Sequence, residues 1–170
     1  MNIQIKVLSR EIGEYLWRGS ATLSTAESCT AGGISAAITT IPGASSYFRG
    51  GIVAYTDDVK AQWLGVPTEL LTDKGAVSEE VAVSMAQGVR EKLGTDYSIA
   101  ITGYAGPGGG PEAPVGTIWI AIGTPNDIQT RQLTGDEGRE TNLVKATLMA
   151  LEMLKARLQV DFPLEETDEV

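Results

Sequence analysis

Apolar positions along the chain change repeatedly between a helical spacing and a strand-like one, and that alternation predicts the class of fold. Over residues 3–18, Ile5, Leu8, Ile12 and Leu16, with Ile3, Val7 and Tyr15, recur near helical spacing, and Gly19 follows as a stop. A short strand is predicted over Ala21 to Thr25, then a helix of small residues from Thr30 to about Thr40, ended by Ile41-Pro42-Gly43. Gly51-Ile52-Val53-Ala54-Tyr55 has the β-branched content of a buried strand, and Asp57 caps a predicted helix that Gly65 and Pro67 end after Leu64. Ser78, followed by Glu79 and Glu80, signals a helix start because acids favour the positive end of the helix dipole; this helix runs to about Leu93. Tyr97 to Thr102 reads as a strand, and Gly103 to Pro111 as a loop, since it is too rich in Gly and Pro for regular structure. Val115 to Gly123 and Ile128 to Leu133 read as strands joined at the turn Thr124-Pro125-Asn126-Asp127, and a last helix spans about Arg139 to Leu158.

Strands alternating with helices predict an α/β fold, a three-layer α/β/α sandwich with a mainly parallel sheet and an antiparallel edge hairpin. No internal repeat or linker divides the chain, so residues 1–160 read as one domain. The two glycine-rich segments are expected to meet at one end of one sheet, where ligands of such folds sit.

Composition narrows the setting. A chain of 170 residues, 42% hydrophobic, can bury a sizeable single core. The one cysteine, Cys29, cannot form an intramolecular disulfide, and the first twenty residues lack the basic start and apolar run of a secretory signal, so a cytoplasmic protein is expected. No run approaches a membrane span. Of the net charge of −9, the segment 161–170 supplies five acids and no base, leaving about −4 on the body. That segment reads as a solvated acidic tail, and the scattered Lys and Arg residues do not form the electrostatic footprint of a nucleic-acid binder.

The chain contains no histidine. Ser-His-Asp triads, Cys-His pairs and histidine-ligated metal sites are therefore excluded, and any serine nucleophile needs another base, lysine being the leading option. Ser28 lies at the junction of a strand and a helix, in Ala26-Glu27-Ser28-Cys29-Thr30-Ala31-Gly32-Gly33. It reads either as a helix cap or as a nucleophile, and Thr30 carries the same ambiguity. Cys29 reads as a small buried residue. Gly32 and Gly33 permit tight packing at a helix start or close approach of a phosphate. Lys60 is an ordinary solvent-facing charge in one reading and, partly desolvated beside Ser28, the base in the other; Tyr55 is core or a proton relay. The loop from Thr102 to Gly116 holds six glycines without matching a Walker or dinucleotide fingerprint, and Arg139 is either salt-bridged or a fork for a phosphate or carboxylate.

Taken in order, Ala26-Glu27-Ser28-Cys29-Thr30-x-Gly32-Gly33, Gly51-x-Val53-x-Tyr55 with Lys60, Leu64-Gly65-Val66-Pro67, Gly75-Ala76-Val77-Ser78-Glu79, Thr102-Gly103-x-Ala105-Gly106-Pro107-x-Gly109-Gly110 and Pro114-Val115-Gly116-Thr117 resemble the CinA C-terminal domain family, the nicotinamide-nucleotide amidases. The likeness is collinear over about residues 5–158 and corresponds to the stand-alone form. It implies hydrolysis of the carboxamide of nicotinamide mononucleotide to nicotinate mononucleotide and ammonia, with no metal or cofactor, in a homodimer. It implies Ser28 as nucleophile, Lys60 as its base and Tyr55 as a supporting catalytic group. Glu27, Thr30, Gly32, Gly33, Thr102, Gly103, Ala105, Gly106 and Arg139 are the residues expected around the substrate. Where the family shows Gly-Asp-Arg, this chain has Gly135-Asp136-Glu137-Gly138-Arg139, so Arg139 corresponds only after a shift. A non-catalytic nucleotide-binding module and an amidase for another small amide are the competing readings.

Overall fold

The computed structural model describes residues 2–164. Its elements run α1 (Ile3–Arg18), β1 (Leu23–Glu27), α2 (Gly33–Thr39), β2 (Phe48–Val53), α3 (Asp57–Leu64), α4 (Thr68–Lys74), α5 (Glu79–Leu93), β3 (Tyr97–Gly103), β4 (Ile118–Gly123), β5 (Ile128–Leu133) and α6 (Arg139–Asp161), with a short 3₁₀ turn at Ala44–Ser46. The strands form one sheet in the order β2-β1-β3-β4-β5. β1 pairs in parallel with β2 and β3, while β4 runs antiparallel to both β3 and β5. Helices cover both faces, giving the expected three layers with the hairpin at one edge.

The period of two along each strand sorts the core into unlike halves. Leu23, Ile99, Ile101, Ile118, Ile120 and Ile122 project to one face and pack against Ile12 and Leu16 of α1, Ile34 and Ile38 of α2, and Leu151 and Leu154 of α6. The other face is lined by small residues, among them Ala26, Ala100 and Ala121, against Val81, Ala82, Met85, Ala86 and Val89 of α5. Because these side chains are short, the α5 backbone comes within hydrogen-bonding reach of the sheet: Ser98 Oγ donates to the Ala86 carbonyl at 2.9 Å. α3 approaches α5 just as closely. A Cβ added at Gly88 would lie 1.9 Å from the Leu64 carbonyl oxygen, so a glycine there lets the end of α3 rest on α5.

Several expectations need correction. The strand expected buried at 51–55 is Phe48–Val53, an edge strand whose positions alternate between half-buried and exposed because only β1 pairs with it. β1 starts and ends two residues later than expected, paired with both neighbours as far as Glu27. The helix expected from Thr30 begins at Gly33, since residues 28–32 form a turn with Ala31 and Gly32 in the left-handed region. α4 was not expected: seven residues are too few for a periodic signal, and Pro67, read as ending α3, also opens α4 with its fixed φ. α6 continues to Asp161, whose carboxylate accepts from Arg157 Nε and, at 2.6 Å, from the Tyr97 hydroxyl. The tail expected from residue 161 thus starts with packed residues, and its part at 165–170 lies outside the described residues. No described helix is long and apolar enough to cross a membrane.

Candidate active site

Glu27 and Ser28 are consecutive at the end of β1, so the strand's alternation sends them to opposite faces of the sheet. Glu27 turns toward α2. It is 1% exposed, and its carboxylate accepts from the N–H groups of Ile34 and Ser35, at 2.8 and 3.0 Å, and from the hydroxyls of Thr30 and Ser35, both at 2.8 Å. An anion at the positive end of α2 satisfies donors that the helix leaves free and ties the 28–32 turn to that helix. Ser28 instead turns toward α3, held in register by its N–H donating to the Ile101 carbonyl at 3.0 Å. Beyond it, Ala31 N–H bonds back to Ser28 O. The N–H groups of Cys29, Thr30 and Gly32 donate to no oxygen among the described residues.

α3 begins after Thr56 and carries Lys60 on its buried side. Lys60 is 1% exposed, an extreme position for this residue type. Its Nζ lies 2.9 Å from Ser28 Oγ and donates to the Ala54 carbonyl at 2.9 Å. Among the described residues no carboxylate is bonded to it. Burial pulls the amine below the ordinary lysine range, against the weaker upward pull of the Asp57 charge. Either partner can therefore hold the shared proton: an ammonium donates to the serine, whereas a neutral amine accepts from it. Burial has the opposite effect on the neighbouring Cys29 thiol, which it pushes up to about 11, so the sulfur stays protonated and weakly nucleophilic near neutral pH.

Ser28 and Lys60 open into a cleft of about 440 Å³ that Tyr55, Asp57, Thr72, Gly75, Ala76, Val77, Thr102, Gly103, Tyr104 and Glu112 help to line. Thr102, buried on the same face as Ser28, donates its hydroxyl to the Ala76 carbonyl at 2.9 Å and so fixes the segment before α5 against β3. The following loop is tied back at 104 and 116, where Gly116 N–H donates to Tyr104 O at 2.7 Å and Tyr104 N–H to Thr117 O at 2.9 Å. Two α6 side chains hold its outer turn: Asn142 Nδ2 donates to Ala105 O at 3.0 Å and Arg139 Nη1 to Gly106 O at 2.7 Å. Arg139 Nη2 also reaches the exposed Tyr55 hydroxyl, at 3.4 Å. Glu137, at the position where the resemblance expects arginine, pairs with Lys145 instead.

Of the residues expected from sequence, Ser28, Lys60, Tyr55, Thr102 and Gly103 come together in the cleft, and Arg139 borders it through Tyr55. Glu27, Thr30, Gly32 and Gly33 belong to the turn and its anchorage on α2, while Ala105 and Gly106 are bound to α6. Sequence reasoning missed Asp57, Thr72, Tyr104 and Glu112. For Glu112 a signal existed: it is the only charged residue between Thr102 and Gly116. Its Oε1 accepts from Val77 N–H at 3.1 Å. Burial acts to raise its pKa, but the bonds from Tyr104 and the Val77 N–H outweigh it and the net shift is downward. Burial, with Glu112 beside it, pushes the Tyr104 hydroxyl up to about 12. Among the described residues no three His, Cys, Asp or Glu side chains cluster as a metal site would require.

An α/β/α sheet that sets a serine hydroxyl against a buried lysine at the carboxyl end of a parallel strand, beside a glycine-rich loop, is the framework of a small-molecule site at that end of the sheet. The family model for the CinA C-terminal domain matches residues 5–158, and the chain belongs to that family. It is 49% identical over 84% of its length to a CinA-like protein of Parasynechococcus marenigrum, of which the match covers 35%. The chain spans about a third of the length of that relative and of similar CinA-like proteins. It is also 42% identical, over 88% of its length and 94% of the relative's, to the nicotinamide-nucleotide amidohydrolase PncC of Pseudomonas putida. Among solved structures it resembles the competence/damage inducible protein CihA of Agrobacterium tumefaciens, with a TM-score of 0.87, 41% identity and coverage of 90% and 94% of the two chains. A CinA superfamily protein of Klebsiella pneumoniae gives 0.89 at 32% identity, covering 94% and 99%.

Proposed function

We propose that this chain is a nicotinamide-nucleotide amidohydrolase that converts nicotinamide mononucleotide to nicotinate mononucleotide and ammonia through a Ser28 acyl-enzyme with Lys60 as general base. One observation carries the mechanism: in a chain without histidine, buried Lys60 lies 2.9 Å from Ser28 and, among the described residues, is the only amine within bonding distance of it and is bonded to no carboxylate. The Pseudomonas putida relative, matched over nearly its whole length, supports the substrate.

Neutral Lys60 takes the Ser28 proton as Oγ forms a bond to the carboxamide carbon and the carbonyl oxygen becomes an oxyanion. The free N–H groups of Cys29 and Thr30 are the donors that follow the nucleophile in the chain, and one such donor contributes about 3 kcal/mol in comparable sites. Collapse of the tetrahedral species expels the nitrogen, which leaves as ammonia with the proton held by Lys60. Water then attacks the ester, gives its proton to Lys60 and releases the acid, and Ser28 recovers its proton. The Ala54 carbonyl orients the amine through both halves. Arg139, bonded to Tyr55 at the mouth, takes the nucleotide's phosphate in this reading, since a guanidinium fork suits an anion. The same family membership supports a cytoplasmic homodimer that recycles pyridine nucleotides.

Rapid quenching during turnover followed by peptide mass analysis tests the assignment. The expected result is an acyl adduct on the peptide residue Ser28, retained in Cys29→Ala and lost in Ser28→Ala. An adduct on Cys29 would overturn it.

A further inference from the structure

The proposed reaction leaves the acidic wall of the cleft without a role. The Val77 N–H holds the Glu112 carboxylate in the cleft that contains Ser28 and is also lined by Tyr104, and Asp57 contributes a second carboxylate from the first turn of α3. Gly75 makes room for this arrangement. Its φ is +79°, and a Cβ added there would lie 2.7 Å from the Glu112 carboxyl carbon. The cations nearby are Lys60, engaged with Ser28 and Ala54, and Arg139 at the mouth, engaged with Gly106 and Tyr55. Neither is ion-paired with Glu112 or Asp57.

We propose that Glu112, with Asp57, is the specificity determinant that selects a nicotinamide ring carrying a positive charge on its nitrogen over the same ring without that charge. This rests on the amidase reading, which places the carboxamide at Ser28 and so puts the attached ring in the same cleft. A glycosidic bond to the ring nitrogen makes that nitrogen quaternary and the ring cationic, whereas free nicotinamide is neutral. Anionic oxygens lining the cleft, those of half-buried Glu112 foremost, favour the cation, and the Tyr104 ring in the same lining adds an electron-rich face. The selection also protects the base, since a cation bound next to Lys60 disfavours the ammonium and favours the neutral amine. Phosphate and ring would then meet opposite charges, Arg139 at the mouth and Glu112 with Asp57 within.

The decisive comparison uses one ligand in two charge states: nicotinamide mononucleotide and its 1,4-dihydro form, which keeps ribose, phosphate and carboxamide but has a neutral ring. Binding is measured by calorimetry to Ser28→Ala protein, so turnover does not enter. The oxidised form is expected to bind at least about tenfold more tightly, the scale of one desolvated charge contact, and adding Glu112→Gln is expected to remove most of that ratio while leaving affinity for the dihydro form within about twofold. Gly75→Ala should do the same by displacing the carboxylate, and Glu112→Asp should restore part of the ratio. Equal binding of the two forms, or equal weakening of both by Glu112→Gln, would overturn the proposal and leave Glu112 a loop anchor. Ammonia release by the wild-type protein is followed separately: a charge preference without ammonia release defeats only the amidase reading, and ammonia release without a charge preference defeats only this one.

Discussion

Lys60 illustrates how one residue's environment sets both chemistry and stability. Ionised lysine is stabilised by water, and this one has exchanged nearly all of it for a carbonyl and a hydroxyl, so its folded pKa lies below the ordinary value of about 10.4. Between the two values the unfolded chain binds more protons than the folded one, so stability from this group rises with pH. Cys29, at about 11, and Tyr104, at about 12, act in the opposite sense at higher pH, because the folded state keeps protons that the unfolded state has lost. Urea denaturation at a series of pH values, compared between wild type and Lys60→Met, isolates the lysine, because Cys29 and Tyr104 contribute to both. Wild-type stability is expected to gain on that of Lys60→Met as pH rises through the lowered lysine pKa; curves that stay parallel up to the ordinary lysine range would mean that the amine is not perturbed by folding.

At the scale of elements, two close packings position Ser28 and Lys60. The first is the Glu27 carboxylate against the start of α2, which fixes the turn after Ser28. Glu27→Ala removes the shared acceptor of four donors, of which only the Ser35 hydroxyl keeps another partner, Thr25 Oγ1 at 2.7 Å, and is expected to cost about 3 kcal/mol of stability, read by thermal or urea denaturation. A loss below about 0.5 kcal/mol, the level of an ordinary surface change, would contradict the anchoring role. The second is α3 resting on α5 at Gly88. Gly88→Ala forces α3 outward and Lys60 with it, so a loss of about 1–3 kcal/mol should accompany a fall in kcat larger than any change in KM. Unchanged kcat in a destabilised variant would show that Lys60 tolerates movement of its helix.

Across the whole molecule, what was legible in the sequence follows from range. Helices and strands with several turns or alternations were readable because their signals are local: α1, α5 and β5 fall close to their expected positions, whereas β4 starts at Ile118 rather than at the expected Val115, residues 115–117 forming a turn. Sheet order was not readable, since nothing in the β2 sequence states that it lies at an edge, and α4 is shorter than the window a period needs. The same division runs through the site. Ser28 and Lys60 stood out by elimination and by motif, whereas Glu112 joins them only because a loop folds over Gly75, 37 residues earlier, and Glu27 was assigned to substrate because adjacency in sequence hides the alternation that sends it to the other face. The central claim concerns the pair these long-range packings create, and it is tested most directly by kcat against pH for ammonia release from nicotinamide mononucleotide by wild type and Lys60→Arg. The wild-type rate is expected to rise with pH through the lowered lysine pKa and then level off, while Lys60→Arg falls by about 10² or more at every pH, because guanidinium keeps the charge and cannot accept the proton. A Lys60→Arg protein with near-wild-type kcat would remove Lys60 from the role of base.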